Sequence, residues 1–339
     1  MGSFDYFEDV SLLEGKDETE ALNLLKRPTL FKVNGQDNSR AVLVSTLIHG
    51  SEPCGFRAFL EEINRGRSYP FDVYFLVGNV AAAKIAPQFS HRNIPDGRNF
   101  NRIWCVDAPE GEEELCIAEL EKFICSLPLI GVLDLHSFMA KGVSPHSFVV
   151  SIDDETLGYA KKFTPYVLKI EAGMGALIEA TSKLCPSFVV ECGTHNTPEA
   201  DAFAGEVLDK FFKEFGVLDG SAGEPLTQYV YVNMTNFKVA PSKRVVWAEE
   251  EDTSADATLR PDCESLNLSK VEAGEFWGWA SSLDFLKAWK GKTAVDVADY
   301  FYIEDGKLYL KHSCVPNLMS ANEFIAKESG FYLFEKKEA

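Results

Sequence analysis

Leu43-Val44-Ser45-Thr46-Leu47-Ile48-His49-Gly50-Ser51-Glu52-Pro53-Cys54-Gly55 is the stretch on which the reading of the whole chain turns. Apolar and β-branched residues run straight into His49, the pattern of a buried strand, and Pro53 then opens a helix. A strand tip holds its imidazole rigidly, and the turn Gly50-Ser51 swings the Glu52 carboxylate round beside it. An H-x-x-E spacing by itself is common. A second apolar run, Ile130-Gly131-Val132-Leu133-Asp134-Leu135-His136, ends on another imidazole. Two strand-terminal histidines and one carboxylate make the donor set of a catalytic zinc, with a fourth position left for water. His49, Glu52 and His136 are therefore expected to hold one Zn2+ per chain. Asp134 lies two residues before His136 on the same strand face, where it can orient the imidazole or cap a neighbouring backbone.

Outward from these strands the pattern alternates. Thr29–Val33, the dipeptide Asn34-Gly35 and residues 40–47 predict a hairpin. Helix is expected over 53–64, strand over Phe71–Val77, and a long irregular segment through the 80s and 90s. Helix over 112–127, with an apolar stripe of Leu115, Ile117, Leu120, Phe123, Ile124 and Leu127, leads into the His136 strand. Strand 148–152, helix 155–163, strand 187–192 and helix 197–215 follow. This order predicts an α/β domain over 1–220 with a mixed, largely parallel sheet flanked by helices, whose site lies at the strands' carboxyl ends. Beyond 220 strand-like segments take over at 229–232, 244–247, 300–303 and 307–311, with a turn at Asp305-Gly306. A smaller β-rich domain is expected over 221–339.

Composition bounds the partners. With 339 residues, 46% of them hydrophobic, the chain can bury a large core. Thirty-three Lys and Arg against 52 Asp and Glu give a net charge of -19, which argues against nucleic acid or an anionic membrane as partner. No apolar run approaches the roughly 20 residues of a membrane span, and residues 1–6 carry neither a signal h-region nor a myristoylation motif, so a cytoplasmic protein is expected. Eight cysteines lack C-x-x-C pairs and read as reduced and mostly buried. Cys54, beside the expected site, is either a nucleophile or soft ligand or, as its place at the start of a helix favours, part of the core.

Two further stretches carry chemistry. Residues 90–104, Ser90-His91-Arg92-Asn93-Ile94-Pro95-Asp96-Gly97-Arg98-Asn99-Phe100-Asn101-Arg102-Ile103-Trp104, gather three arginines and three asparagines in an anionic chain. Such a cluster suits an anion: an Asn-Arg pair fits a carboxylate, and another guanidinium can polarise a carbonyl. The alternative is a solvated crossover held by salt bridges. Glu191 ends the apolar strand Ser187-Phe188-Val189-Val190-Glu191, where a lone carboxylate is costly to bury and needs a partner or a task. His195, four residues on, either lines the site or is hydrogen-bonded at the surface.

These motifs resemble the succinylglutamate desuccinylase and aspartoacylase family, which belongs with the zinc carboxypeptidases. The resemblance spans roughly residues 40–215 and rests on His49-Gly50-Ser51-Glu52-Pro53, on Arg92 to Trp104, on Asp134-Leu135-His136 and on Val189-Val190-Glu191. It implies a zinc-carboxypeptidase-like fold and a hydrolase that cleaves the amide of an N-acyl amino acid or similar small carboxylate with zinc-activated water. By the same resemblance Glu191 is the general base, Asn101 and Arg102 hold the substrate carboxylate, and Arg92 stabilises the oxyanion, with Arg98 as its rival. Ser51 stands where the family commonly has Asn, Phe100 where Leu is usual and Trp104 where Phe is usual; no reacting group is lost. A carboxypeptidase acting on peptide C-termini would use the same residues. A catalytically silent metal-binding or interaction protein would not need Glu191 beside the metal.

Overall fold

A computed structural model of the chain describes residues 3–140 and 143–337; the Met1-Gly2 start of the N-terminal reading lies outside them. The chain separates into two compact units. One comprises 1–138, 145–167 and 173–228, the other 139–144, 168–172 and 229–339.

The first unit is a mixed sheet with helices. Its strands are β1 (Asp5–Phe7), β2 (Thr29–Val33), β3 (Asp37–Thr46), β4 (Phe71–Val77), β5 (Leu129–Phe138), β6 (His146–Val149), the first half of β7 (Tyr166–Lys169) and β8 (Ser187–Thr194), in the spatial order β1-β2-β4-β3-β5-β8-β6-β7. The pairs β1/β2, β3/β4, β3/β5 and β5/β8 are parallel, whereas β2/β4 and β6/β8 are antiparallel. All seven residues of β4 are buried, as an interior strand covered on both faces requires. The helices are α1 (Glu18–Leu24), α2 (Cys54–Asn64), α3 (Val80–Ala83), α4 (Gly111–Ile124), α5 (Asp154–Phe163), α6 (Leu177–Thr181) and α7 (Pro198–Glu214). Capping chemistry sets several ends. Asp17 and Glu20 form a capping box on α1, and Thr197 caps α7 with Pro198 in its first turn.

Two local expectations are corrected. The 29–47 segment is not a hairpin: β2 and β3 both pair with β4, which lies between them, so Asn34-Gly35 links strands that never touch. Gly35 and Asp37 instead lean on β4 and its approach, Gly35 N–H donating to Asp72 and Asp37 N–H to the Pro70 carbonyl. A tight-turn dipeptide fixes only local geometry, and pairing both edges of β4 outweighed it. In α4 the core face is Ile117, Leu120 and Ile124, while Leu115 is 49% exposed.

The second unit contains β9 (Tyr229–Val239), β10 (Val245–Trp247), β11 (Ala257–Leu259), β12 (Phe276–Ala280), β13 (Leu286–Lys290), β14 (Thr293–Val295), β15 (Phe301–Glu304), β16 (Lys307–Leu310), β17 (Val315–Asn317) and β18 (Phe331–Lys336), with one short helix α8 (Glu323–Glu328). β9 pairs with β13 and β18, and a separate sheet runs β10-β11-β12-β16-β15. Its core gathers Phe237, Trp277, Phe285, Phe301 and Phe331. The expected Asp305-Gly306 turn joins β15 to β16, both residues at positive φ as a type I′ turn demands.

Candidate metal centre

The ligand strand ends earlier than its apolar run suggests. β3 stops at Thr46, Leu47 takes a left-handed φ of 52°, and His49 is presented by the turn beyond, where Glu52 N–H donates to the His49 carbonyl at 3.1 Å. Gly50 makes that turn possible: a Cβ there would sit 2.4 Å from the Ala83 nitrogen at the end of α3. His136 and Glu191, by contrast, lie within the last residues of β5 and β8 and face each other in register.

His49, Glu52 and His136 are all buried, and one donor atom from each lies within 4.8 Å of the others. His136 Nδ1 is 2.7 Å from Glu52 Oε2, and His49 Nδ1 is 3.0 Å from Glu52 Oε1. The second contact is off the hydrogen-bond line, which leaves His49 Nδ1 buried without a hydrogen-bond partner. Outer contacts fix both rings. His49 Nε2–H donates to Asn99 Oδ1 at 3.0 Å, and that oxygen also accepts from the Asn101 N–H at 2.9 Å, so it is the amide oxygen that faces His49. His136 Nε2 meets Asp134 Oδ2 at 2.8 Å. Both imidazoles therefore turn Nδ1 towards the shared carboxylate, with their far nitrogens committed to an amide and a carboxylate, the arrangement that orients metal-bound histidines.

The electrostatics match that geometry. Burial, helped by Arg92, pushes the His49 imidazole down to about 4. Burial alone would raise Glu52, yet His49, Arg92 and His136 hold its carboxyl well below the usual range. Burial would likewise depress His136, but Asp134 and Glu52 outweigh it and raise the ring well above an ordinary histidine. Glu191 goes the other way: burial lifts it to about 7, and its Oε2 has no hydrogen-bond partner. Ser137 Oγ, next to His136, is also buried and unpartnered. A His₂Glu donor set with an unsatisfied ring nitrogen, and with unpartnered oxygens on Ser137 and Glu191, the chain and strand neighbours of His136, fits a divalent metal of the zinc type.

The remaining expected site residues fall as follows. Arg92 Nη1 donates to Glu52 Oε1 at 2.6 Å, so its guanidinium stands against the ligand set. Asn101 is buried in a 3-10 turn, Phe100–Arg102; its Oδ1 accepts from Leu177 N–H, and Arg102 Nη1 donates to the Asn101 carbonyl. Arg98 is turned to the first turn of α4, where it pairs with Glu114, its side chain 64% exposed. Cys54 is fully buried and its thiol reaches the His136 carbonyl at 3.5 Å; it is not part of the ligand group. His195 follows β8, mostly buried, with Nδ1 unpartnered. Sequence reasoning gave no role to Asn99, whose only signal was its place in an asparagine-rich loop, and did not read the 173–179 segment that supports Asn101.

No protein-family model matches the chain, and no curated protein matches it in sequence. Solved structures do. A succinylglutamate desuccinylase/aspartoacylase of Rhodobacter sphaeroides superposes with a TM-score of 0.58 at 17% identity, covering 91% of this chain and 89% of that one. A product-bound ectoine utilization protein of Ruegeria pomeroyi gives 0.57 at 14% identity, with 91% and 88% covered. A succinylglutamate desuccinylase of Vibrio parahaemolyticus gives 0.59 at 13% identity, with 91% and 86% covered. Over about nine-tenths of its length, this chain has the fold of the succinylglutamate desuccinylase/aspartoacylase proteins.

Proposed function

We propose that the protein is a zinc-dependent hydrolase that cleaves the amide bond of an N-acyl amino acid or a similar small carboxylate. The observation that carries this reading is the turning of two imidazole Nδ1 atoms onto one buried carboxylate, with the unpartnered Glu191 carboxyl among the same charges. His49, Glu52 and His136 are the ligands. Zinc bound there would supply a Lewis acid and acidify its water towards a pKa of ~7.

The protein's own side chains account for the rest. Glu191 Oε2 accepts the proton from water and returns it to the departing nitrogen. Arg92, held beside Glu52, meets the negative charge that grows on the scissile carbonyl oxygen in a water-poor site where such a contact is strong. Asn101 and Arg102 receive the substrate carboxylate through a side-chain N–H and a guanidinium. Arg98, bound to Glu114, is left as a brace between the loop and α4.

A hydrolysis panel tests the proposal. It crosses several acyl groups with several amino acids and includes their carboxamide counterparts and short peptides. Zinc-dependent turnover of N-acyl amino acids, abolished by chelator and much weaker on the carboxamides, is expected. Preference for peptides would make the protein a carboxypeptidase, and turnover indifferent to chelator would refute the metal role.

A further inference from the structure

The Asn101–Arg102 turn is held in place by a segment on another part of the chain. Residues 173–176 lead into α6 with Gly173 at φ 102° and Gly175 at φ 78°, and such backbone turns several N–H groups to one side. Glu179, at the third position of α6, reaches back into that concavity. Its carboxylate accepts the N–H groups of Gly173, Met174 (2.9 Å) and Ala176 (3.2 Å), and the residue is only 6% exposed. Three backbone donors at a helix start thus carry one buried negative charge.

What the segment presents, once fixed, is directed at the substrate-binding turn. Leu177 N–H donates to Asn101 Oδ1 at 3.1 Å, and the Gly175 carbonyl accepts from Trp104 N–H at 3.1 Å. The backbones are in close contact: a Cβ on Gly175 would lie 2.4 Å from the Arg102 carbonyl oxygen. The Leu177 contact also decides which end of the Asn101 amide is available. With Oδ1 committed to a backbone donor, the amide offers its NH₂ end, the end that an anion needs; an unanchored asparagine could present either.

We infer that Glu179 is the positioning residue for the Asn101–Arg102 pair, setting the donor orientation by which this site prefers carboxylates. The inference rests on the function proposed above, in which that pair binds the substrate carboxylate. Glu179 touches no reacting atom. Replacing its charge with an amide sets a donor against one of three inward-facing N–H groups and loosens the segment, and the Asn101 amide is then free to turn.

The test uses the full-length, zinc-loaded protein with Glu179→Gln, and Glu179→Asp as a milder variant that keeps the charge on a shorter stem. Hydrogen exchange at the Leu177 and Trp104 amides reads the anchoring directly, whatever the activity. For Glu179→Gln, exchange at both amides should rise at least about tenfold, and KM for a free-carboxylate substrate should rise about tenfold with kcat and zinc content within about twofold. The carboxamide counterpart should be unaffected, and Glu179→Asp should fall between wild type and Glu179→Gln. Unchanged exchange and unchanged KM would overturn the inference, as would an equal loss of kcat on both substrates. Should Glu179→Gln not fold, the same two readouts on Glu179→Asp decide. Arg102→Ala separates the levels: if it leaves the preference for carboxylates intact, the proposed function of the pair fails, while hydrogen exchange still judges Glu179.

Discussion

Glu52 receives two imidazoles and a guanidinium on its two oxygens, and the partners behind those imidazoles give the cluster the form of a candidate metal site. Asp134 and Asn99 each hold one ring by its outer nitrogen. Asp134→Asn should therefore weaken zinc binding about 10- to 100-fold, measured by chelator competition, while the fold is kept. Asn99→Ala should do likewise at His49, and affinities equal to wild type in both would mean that the rings are held some other way. Glu191→Gln should retain zinc and lose on the order of 10²-fold or more in kcat; a variant with undiminished turnover would remove Glu191 from the chemistry. At this scale the sequence was informative where chemistry demands particular residue types. His49, His136 and Glu191 stood out because an imidazole or carboxylate ending an apolar run needs a reason to be there, and Glu52 because the turn after His49 sets it beside that ring. Asn99 and Glu179 did not, because a side chain that serves another side chain or a turn of backbone leaves no periodic or spacing signal.

Among elements, β3 and α2 flank the turn that carries His49 and Glu52. Phe59 of α2 is fully buried and stacks on Phe75 of β4 with ring centroids 4.3 Å apart. Phe59→Ala should cost about 3–5 kcal/mol of stability by denaturant unfolding, the range for large-to-small changes in a packed core; a loss under about 1 kcal/mol would mean that this contact is not part of the core. Arg98→Ala, by contrast, removes a mostly exposed ion pair and should change stability by no more than about 1 kcal/mol, with little effect on kcat. A large fall in kcat at constant zinc content would return Arg98 to the reacting centre. The longer strands and helices of the first unit were legible from periodicity nearly to their ends, since β4 and β8 are buried on both faces and α7 is amphipathic with a clear cap, whereas the short β7, α3 and α6 were not read. Strand order was not. The Asn34-Gly35 signal is local, whereas the insertion of β4 between β2 and β3 is decided by contacts 31 to 48 residues apart, on which turn chemistry is silent.

For the molecule as a whole, a chain of net charge -19 sets three arginines in one loop, and that loop borders the His49–Glu52–His136 cluster through Arg92 and Asn99. A metal bound only by the folded state adds stability by mass action, about 2.7 kcal/mol at a free concentration 100 times its dissociation constant. Chelator-stripped protein should therefore melt at a lower temperature than the zinc-loaded form, and zinc should restore the difference. The α/β class and the change to β-rich structure in the second half were readable from composition and alternation. The three-residue strands β11 and β14 are too short to carry a period, whereas β10, equally short, was read within 244–247. The deciding quantity is the zinc retained per chain after loading and gel filtration, compared between wild type and a His49→Ala/His136→Ala double variant. About one zinc on the wild type and essentially none on the variant is the expected outcome. No zinc on the wild type, or equal retention by both, would contradict it.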